Sequence, residues 1–297
     1  MYRKMDLSLL IKKLIKKLSC MGNIFRLCAG LSTVITISVF VFMLILGLPL
    51  FRDTSVLSLW AGPWAPQEKL YGIGPMIAGT IGIAGFATLL ALPLSLGSAF
   101  VITTLGHPGL RTGLKAFIRF MTGIPTVIYG FSAIFLLVPL IREGLGGAGF
   151  CVLAAGSVLA VLVTPVMTLF FIDSLLGVNP VHIQAARALG ASRIQRLLYV
   201  MIPQALPGLA TGFVLATGRA IGDTLIALML AGNAIIIPET LLDPARTLTG
   251  HIALIKAADY DSLEFRSIFA CGIALYLFSA FSVIIVRIFE KKQRPAI

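Results

Sequence analysis

QAARALGASRIQRLLYVMIP, residues Gln184 to Pro203, is one of the few amphipathic and positively charged segments in a very hydrophobic sequence. Gly190 lies near its middle and Pro203 closes it, and these two residue types commonly end helices. The stretch therefore predicts two short helices joined by a turn, with a stop at Pro203 before the next apolar run. Ala185, Ala186 and Ala188 leave a narrow helix face that can enter a groove. The alternative is an ordinary amphipathic connector that lies on the membrane surface.

The rest of the chain has the composition of a membrane protein. Of its 297 residues, 58% are hydrophobic and 12% are charged, which excludes a soluble globular chain. A bilayer core takes about 20 apolar residues per helix. Six runs satisfy this length, at 28–51, 74–104, 117–141, 148–172, 206–233 and 267–287. We expect an all-α, polytopic fold in which residues 28–297 form one domain with six transmembrane helices, after a basic N-terminal segment, 1–27.

Lys and Arg are distributed unevenly between the loops. If the N terminus is inside, most of the 24 fall in cytoplasmic segments: the two termini, 111–119 and 187–196. Cytoplasmic loops keep such an excess, so both termini and the segment 178–205 are predicted to be cytoplasmic. The net charge of +12 then needs no nucleic acid to explain it.

Residues 7–18 place leucine and isoleucine on one face of a predicted helix and lysine pairs on the opposite face. This pattern fits either a helix lying on anionic lipid or a solvated basic tail.

Arg219 and Asp223 form an i, i+4 pair of opposite charge within the fifth apolar run. Charged side chains at bilayer depth cost at least about 2.5 kcal/mol each on insertion scales, so they mark an ion or substrate route by default. The Arg fork matches the oxygens of an oxyanion, and Asp223 can hold that fork while the path is empty. A mutually neutralised structural pair is the alternative. Small residues recur every four positions in the same run, at Gly208, Gly212, Ala216 and Ala220, which favours close helix packing.

Two proline motifs are predicted to interrupt spans. We expect a break near Pro93 in the long second run, and another in MTGIPTVIYG, residues 121–130. Irregular backbone at membrane depth either lines a pathway or is a purely structural kink, and the sequence of residues 121–130 is compatible with both.

The outer segment 52–73 has the aromatic composition of a membrane interface. The second outer segment, 234–266, is expected to be a solvated docking surface on which His251 is exposed.

Four motifs together resemble the permease of bacterial phosphate-specific ABC importers, more its PstC-type than its PstA-type subunit. They are GIPTVIYG at 123–130, the stretch 184–203, GRAIGDT at 218–224, and RTLT with a following IA at 246–253. The resemblance implies a type I (MetI-like) importer fold in which 178–205, hereafter the coupling segment, is an EAA-type loop resting on a cytoplasmic ATPase. Its matching residues are Gln184, Ala185, Ala186, Gly190, Arg193 and Pro203. Arg219 and Asp223 would line the substrate pathway. The family usually has Glu where this chain has Gln184 and Asp223.

The same resemblance implies partners in the bacterial inner membrane: a second permease subunit in a heterodimer, two cytoplasmic ATPase subunits, an extracytoplasmic phosphate-binding protein and membrane lipid. The chain has no GxxxxGK[ST] phosphate loop, so we expect it to be no enzyme, with no catalytic residues, cofactor or metal. Three other functions stay open. They are a permease for another oxyanion such as sulfate or molybdate, a secondary transporter that needs no ATPase, and a scaffold or phosphate-sensing adaptor.

Overall fold

The computed structural model describes residues 7–53, 56–255 and 262–293, with side chains over 22–47, 58–255 and 262–289. Six of its helical segments are long and apolar enough to cross a membrane. They are Gly22–Gly47, Gly74–Leu105, Thr126–Leu145, Val152–Leu176, Arg193–Ile221 and Leu263–Phe289. The predicted all-α polytopic fold with six transmembrane helices is confirmed. The fifth span differs most from its predicted range, because it both begins and ends earlier.

The regular elements of the described residues follow one another along the chain, and the longest described connection, residues 231–247, joins α10 to α11. They are α1 Leu7–Asp53, α2 Val56–Ala61, β1 Trp64–Ala65, β2 Leu70–Tyr71, α3 Gly74–Phe100, α4 Pro108–Thr122, α5 Thr126–Leu145, α6 Val152–Leu176, α7 Pro180–Ala188, α8 Arg193–Arg196, α9 Ile202–Ile221, α10 Leu225–Leu230, α11 Leu248–Ile255 and α12 Leu263–Gln293. A 3₁₀ turn, Pro66–Glu68, joins the antiparallel strands, in which Trp64 pairs with Tyr71. π-helical turns follow α3 at Val101–Leu105 and α8 at Leu197–Met201.

The central helix is α6, which packs against α3, α4, α5, α9 and α10. Many of its side chains, such as Leu159 and Phe171, are almost completely buried. Helix α9 comes closest to it at Gly212, where an added Cβ would lie 2.8 Å from the Cβ of Phe170. Ala216 and Ala220 continue this buried face of α9. Three members of the predicted small-residue stripe therefore pack against a helix, as small residues allow.

The two predicted interruptions have different outcomes. Helix α3 continues past the exposed Pro93, so the break expected there is wrong. A proline in a transmembrane helix removes one hydrogen bond, and neighbouring helices keep the rest of the helix together. The second interruption is confirmed, because α4 ends at Thr122 and α5 begins at Thr126. Pro125 disfavours helical backbone at the residue before it, which ends the helix there.

Helix α1 runs for 47 residues, from Leu7 to Asp53. It therefore crosses the expected limit between the N-terminal segment and the membrane domain at residues 27 and 28, and that division stays a prediction. Residues 1–6 and the side chains of 7–21 lie outside the described part of the chain, as does the predicted amphipathic lysine face. Farther along, α1 packs against α12, with the rings of Phe40 and Tyr276 stacked 4.2 Å apart.

A small second core lies between the hairpin formed by β1 and β2, helices α2 and α11, and the start of α12. His251 lies inside it with no exposed surface, so the prediction that His251 is exposed is wrong. Its Nε2 lies 3.1 Å from Ser267 Oγ, and its ring meets Trp64 edge-on at 4.5 Å between centroids. The residues that cover His251 come from distant parts of the chain, which a local pattern of charge does not reveal.

The buried His251 makes the stability of the protein depend on pH. Burial and then the nearby charge of Arg246 lower the pKa of His251 from 6.5 to about 4. The folded state therefore binds fewer protons than the unfolded chain once the pH falls below about 6.5, and it loses up to about 1.4 kcal/mol of stability per pH unit down to about 4. We expect the unfolding temperature of the detergent-solubilised protein to fall between pH 7 and pH 5.

His251→Gln is the matched variant, because its amide can still bond to Ser267 but does not titrate. Its unfolding temperature should change less over the same pH interval. Equal pH dependence in the two proteins would show that His251 is not the responsible group.

Candidate functional site

The coupling segment is a helix, a tight turn and a second helix, as its sequence predicts. At the end of α7, Gly190 has a φ of +83°, and the amide of Ala191 donates to Ala186 O while that of Gly190 donates to Arg187 O. These two bonds close the helix in a glycine-terminated cap. Ser192 then begins α8 with reciprocal bonds to Gln195. Local hydrogen bonds therefore define the shape of the turn.

The surface of this turn is open. Gln184, Ala185, Gly190, Arg193 and Pro203 are exposed and Ala186 is half-buried. Apolar side chains of the coupling segment are exposed too, among them Leu189, next to Gly190, at 89% exposure and Tyr199, in the π-helical turn, at 77%. A Cβ added at Gly190 would meet nothing within 4 Å. Exposed apolar side chains rimmed by charge are typical of a surface that binds another protein.

Pro203 does not end a helix, which corrects the predicted stop. Helical backbone runs from Arg193 through the π-helical turn Leu197–Met201 into α9, and it reaches Ile221 without a break. Pro203 lies at the start of α9 and lacks the N–H that would bond back to the preceding turn. The wider π turn just before it takes up the change in backbone bonding. One helix therefore joins the coupling segment to the far end of the fifth span.

Arg219 and Asp223 both lie at that far end, but not as a pair within one helix. Helix α9 ends at Ile221, and Asp223 belongs to the three-residue break before α10. Its Oδ1 accepts a hydrogen bond from the amide of Ile226 at 2.9 Å, so the carboxylate caps α10. Arg219 is exposed, and no hydrogen bond or ion pair joins it to the described residues around it. Its charge acts on Asp223 only through space.

One exposed face of α9 runs from the coupling segment toward Arg219. Gln204, Gly208, Thr211, Leu215 and Arg219 recur at helical spacing, and all are exposed or half-buried. The first three of them also line a cavity of about 460 Å³, together with polar residues at the end of α6 and beyond it: Asp173, Ser174 and Asn179. We call this cavity the vestibule. The vestibule therefore gives the Gln204 end of the exposed face of α9 polar, water-accessible surroundings.

The coupling segment contacts the vestibule directly. Nδ1 of His182, on α7, lies 2.8 Å from Oε1 of Gln204, on α9. Sequence reasoning missed both residues and also the polar end of α6. A polar residue facing a cavity has no local signature, although Gln204 one residue after Pro203 was a visible polar interruption of an apolar run.

At the Arg219 end of α9, the second outer segment bonds to the break between α9 and α10. Thr249 Oγ1 donates to the backbone oxygen of Asp223 at 3.0 Å and lies 3.1 Å from Thr247 Oγ1. The amide of Leu248 donates to Thr80 on α3, at 2.9 Å. Arg246 Nε donates to Asn233 O at 2.9 Å. The segment expected to be a solvated docking surface is thus, at 245–251, mostly buried against the break and α3.

Taken together, these features are a six-span helical bundle with an exposed helix-turn-helix loop leading directly into a broken fifth span. The chain belongs to the family described as the binding-protein-dependent transport system inner membrane component, whose model matches residues 93–295. It is therefore a permease component of that class of importer.

Among curated proteins, it is 30% identical over 274 residues to the probable ABC transporter permease protein YqgH of Bacillus subtilis, covering 90% of this chain and 89% of that one. It is 28% identical over 259 residues to the phosphate transport system permease protein PstC of Pasteurella multocida, covering 79% and 81% of the two chains. The resemblance to PstC-type permeases that the motifs suggest is confirmed.

Solved importers share the fold at lower identity. A bacterial ABC transporter involved in the import of the polysaccharide alginate matches with a TM-score of 0.61 and 17% identity, over 95% of this chain and 98% of that one. An inward-facing MetNI methionine ABC transporter matches with a TM-score of 0.55 and 21% identity, over 71% and 93%. The predicted type I importer permease fold is confirmed.

The bond from Thr249 to the break can be tested by removing one hydroxyl. Thr249→Val keeps the shape of the side chain but leaves the Asp223 carbonyl without this donor, which should cost about 1 to 3 kcal/mol of stability. We expect a lower unfolding temperature for Thr249→Val and a value close to the wild type for Thr249→Ser. If Val and Ser behave alike, the hydroxyl does not stabilise the break.

Proposed function

We propose that this chain is the PstC-type permease subunit of an ATP-driven phosphate importer. The observation that carries the proposal is an exposed, unpaired guanidinium, Arg219, at the end of the polar face of α9, in a chain similar to phosphate permeases over most of its length. Arg is charged at every relevant pH, and its planar fork fits phosphate oxygens. Phosphate would meet Arg219 first and leave through the vestibule.

The exposure of Arg219 supports this role. A guanidinium facing hydrocarbon would be costly, so a second subunit or water must cover that face of α9. In the proposed heterodimer, a related permease subunit covers it and the two chains enclose the path. Asp223 then acts as a neighbour that tunes the field at Arg219, since it is held by Ile226 and not by the guanidinium. A single unpaired Arg binds an anion without trapping it.

The proposed partners on the inner face are two ATPase subunits, which would grip the coupling segment at Gln184, Ala185, Ala186, Gly190 and Arg193. A solved relative is described in complex with a pentasaccharide-bound periplasmic protein, and a phosphate-binding protein is the corresponding proposal on the outer face here. A movement of α7 would be transmitted to the vestibule through the contact between His182 and Gln204. It would be transmitted to Arg219 through the continuous helix from Arg193 to Ile221. Both termini are proposed to be cytoplasmic, in the bacterial inner membrane.

The rival functions are not equally supported. Membership of a binding-protein-dependent family argues against a secondary transporter and against a scaffold that transports nothing. A permease for sulfate or molybdate remains the second candidate, because Arg219 by itself suits any tetrahedral oxyanion. Competition separates the two: excess phosphate should abolish uptake of labelled phosphate, and excess sulfate or molybdate should not.

Arg219→Gln tests the pathway. The loss of charge-assisted hydrogen bonds, each about 1.5 to 3 kcal/mol, should lower phosphate uptake by proteoliposomes at least about tenfold while the complex still assembles. Arg142→Gln is the matched control, because Arg142 is another exposed Arg in a last helical turn and lies outside the proposed path. Undiminished uptake by Arg219→Gln would mean that the arginine does not contact the transported anion.

Gly190→Trp tests the ATPase contact. The added side chain enters open space within this chain, so its effect should fall on whatever protein covers the turn. We expect the ATPase to stop co-purifying with Gly190→Trp. Gly190→Asn is the control for backbone strain, because Asn tolerates a positive φ, and it should retain the ATPase. Full co-purification and ATP-dependent uptake by the Trp variant would contradict the proposed contact.

A further inference from the structure

A second cavity, of about 440 Å³, lies between the coupling segment and the start of α4, and of its lining residues only Val178 is shared with the vestibule. Three guanidiniums line it: Arg111 from the first turn of α4, and Arg193 and Arg196 from α8. Its floor is apolar, with the nearly buried side chains of Leu175 and Met201. No carboxylate is among its lining residues. We call it the arginine pocket.

The three arginines are not neutralised by neighbouring residues. Residues 101–122 and 178–205, which supply most of the lining, contain six Lys and Arg and no Asp or Glu. The guanidiniums of Arg193 and Arg196 make no hydrogen bond or ion pair with the described residues. An excess of positive charge at the inner face is expected of any membrane protein. That rule does not explain why three guanidiniums from two separate segments converge on one cavity.

Arg111 is held in place. Its Nε donates to Gly106 O and its Nη2 to Thr104 O, both at 2.6 Å, and its Nη1 has no hydrogen-bond partner among the described residues. The cavity wall also carries the hydroxyl of Thr104, whose bond to Met201 Sδ, at 3.5 Å, is weak and easily exchanged for a better acceptor. Arg111 and Arg196 are half-buried, so an anion between them would be less screened than one at an open surface.

We propose that the arginine pocket binds a phosphate group. A phosphate group has more acceptor oxygens than a carboxylate and can carry more negative charge, so it suits three guanidiniums that converge from different directions. The cavity has the volume of about fifteen water molecules, so it has room for a phosphate ester as well as for inorganic phosphate. The group would come either from free phosphate in the cytoplasm or from the headgroup of an anionic phospholipid. Bound there, it would tie α8 of the coupling segment to the start of α4.

The proposal does not depend on which ion is transported, and the test separates the two sites. The transporter, purified with its co-purifying subunits, is placed in nanodiscs of phosphatidylcholine alone, and equilibrium binding of labelled inorganic phosphate is measured. A second set of nanodiscs also contains phosphatidylglycerol, and native mass spectrometry counts the phosphatidylglycerol molecules retained.

Arg196→Gln is the deciding variant, because its guanidinium bonds to no described residue and its loss leaves the fold intact. It should weaken retention of phosphate or of phosphatidylglycerol about tenfold, as expected for one charge-assisted contact. Arg111→Gln should do the same, although it also loses two bonds to backbone carbonyls. Arg119→Gln removes an equal charge from α4 outside this cavity and should bind like the wild type. Loss of phosphate binding identifies free phosphate as the source, and loss of phosphatidylglycerol identifies the lipid.

Three results would overturn the proposal. In the first, Arg196→Gln and Arg111→Gln retain both probes as well as the wild type does. In the second, phosphate binding is lost in Arg219→Gln and kept in Arg196→Gln, which places the bound phosphate on the transport pathway. In the third, Arg196→Gln releases the ATPase while neither probe binds the wild type, which means that the guanidiniums serve an acidic side chain of the ATPase.

Discussion

The structure depends on one continuous helical segment, from Arg193 to Ile221. A helix rises about 1.5 Å per residue, so this run extends about 40 Å, across the whole bilayer. Two prolines, Pro203 and Pro207, lie within it without breaking it. The π turn at Leu197–Met201 lies just before Pro203, and a wider turn uses a different set of carbonyl partners. The coupling segment and the far end of the span are therefore parts of one continuous helical segment.

The two faces of α9 serve different purposes. Gly212, Ala216 and Ala220 let it pack closely against α6, which fixes the orientation of the helix. The opposite face is left without cover in this chain, and it carries Gln204 at the vestibule and Arg219 at the other end. The close packing of small residues thus determines where the guanidinium of Arg219 points. Beyond it, the helix breaks, and Thr249 and Thr80 attach the outer segment to the break and to α3.

The coupling segment is bordered by two cavities of opposite character. The vestibule has Asp173 and neutral polar groups in its lining, while the arginine pocket has three guanidiniums and no carboxylate. His182, on α7, contacts Gln204 in the lining of the vestibule, and Arg193 and Arg196, on α8, line the arginine pocket. Any ligand of the arginine pocket would therefore act on the same short helices that an ATPase would move, because α7 and α8 are joined only by the turn at Gly190.

The sequence by itself determined the number of spans, the turn at Gly190 and the interruption before Thr126, because apolar length and Gly or Pro punctuation act over a few residues. Its motifs also identified the family. Only the tertiary structure decided that the helix continues through Pro203, that Asp223 caps α10 instead of pairing with Arg219, and that His251 is buried. The two cavities were equally invisible. Each of these depends on which distant segments pack together, and one sequence contains no local signal for that.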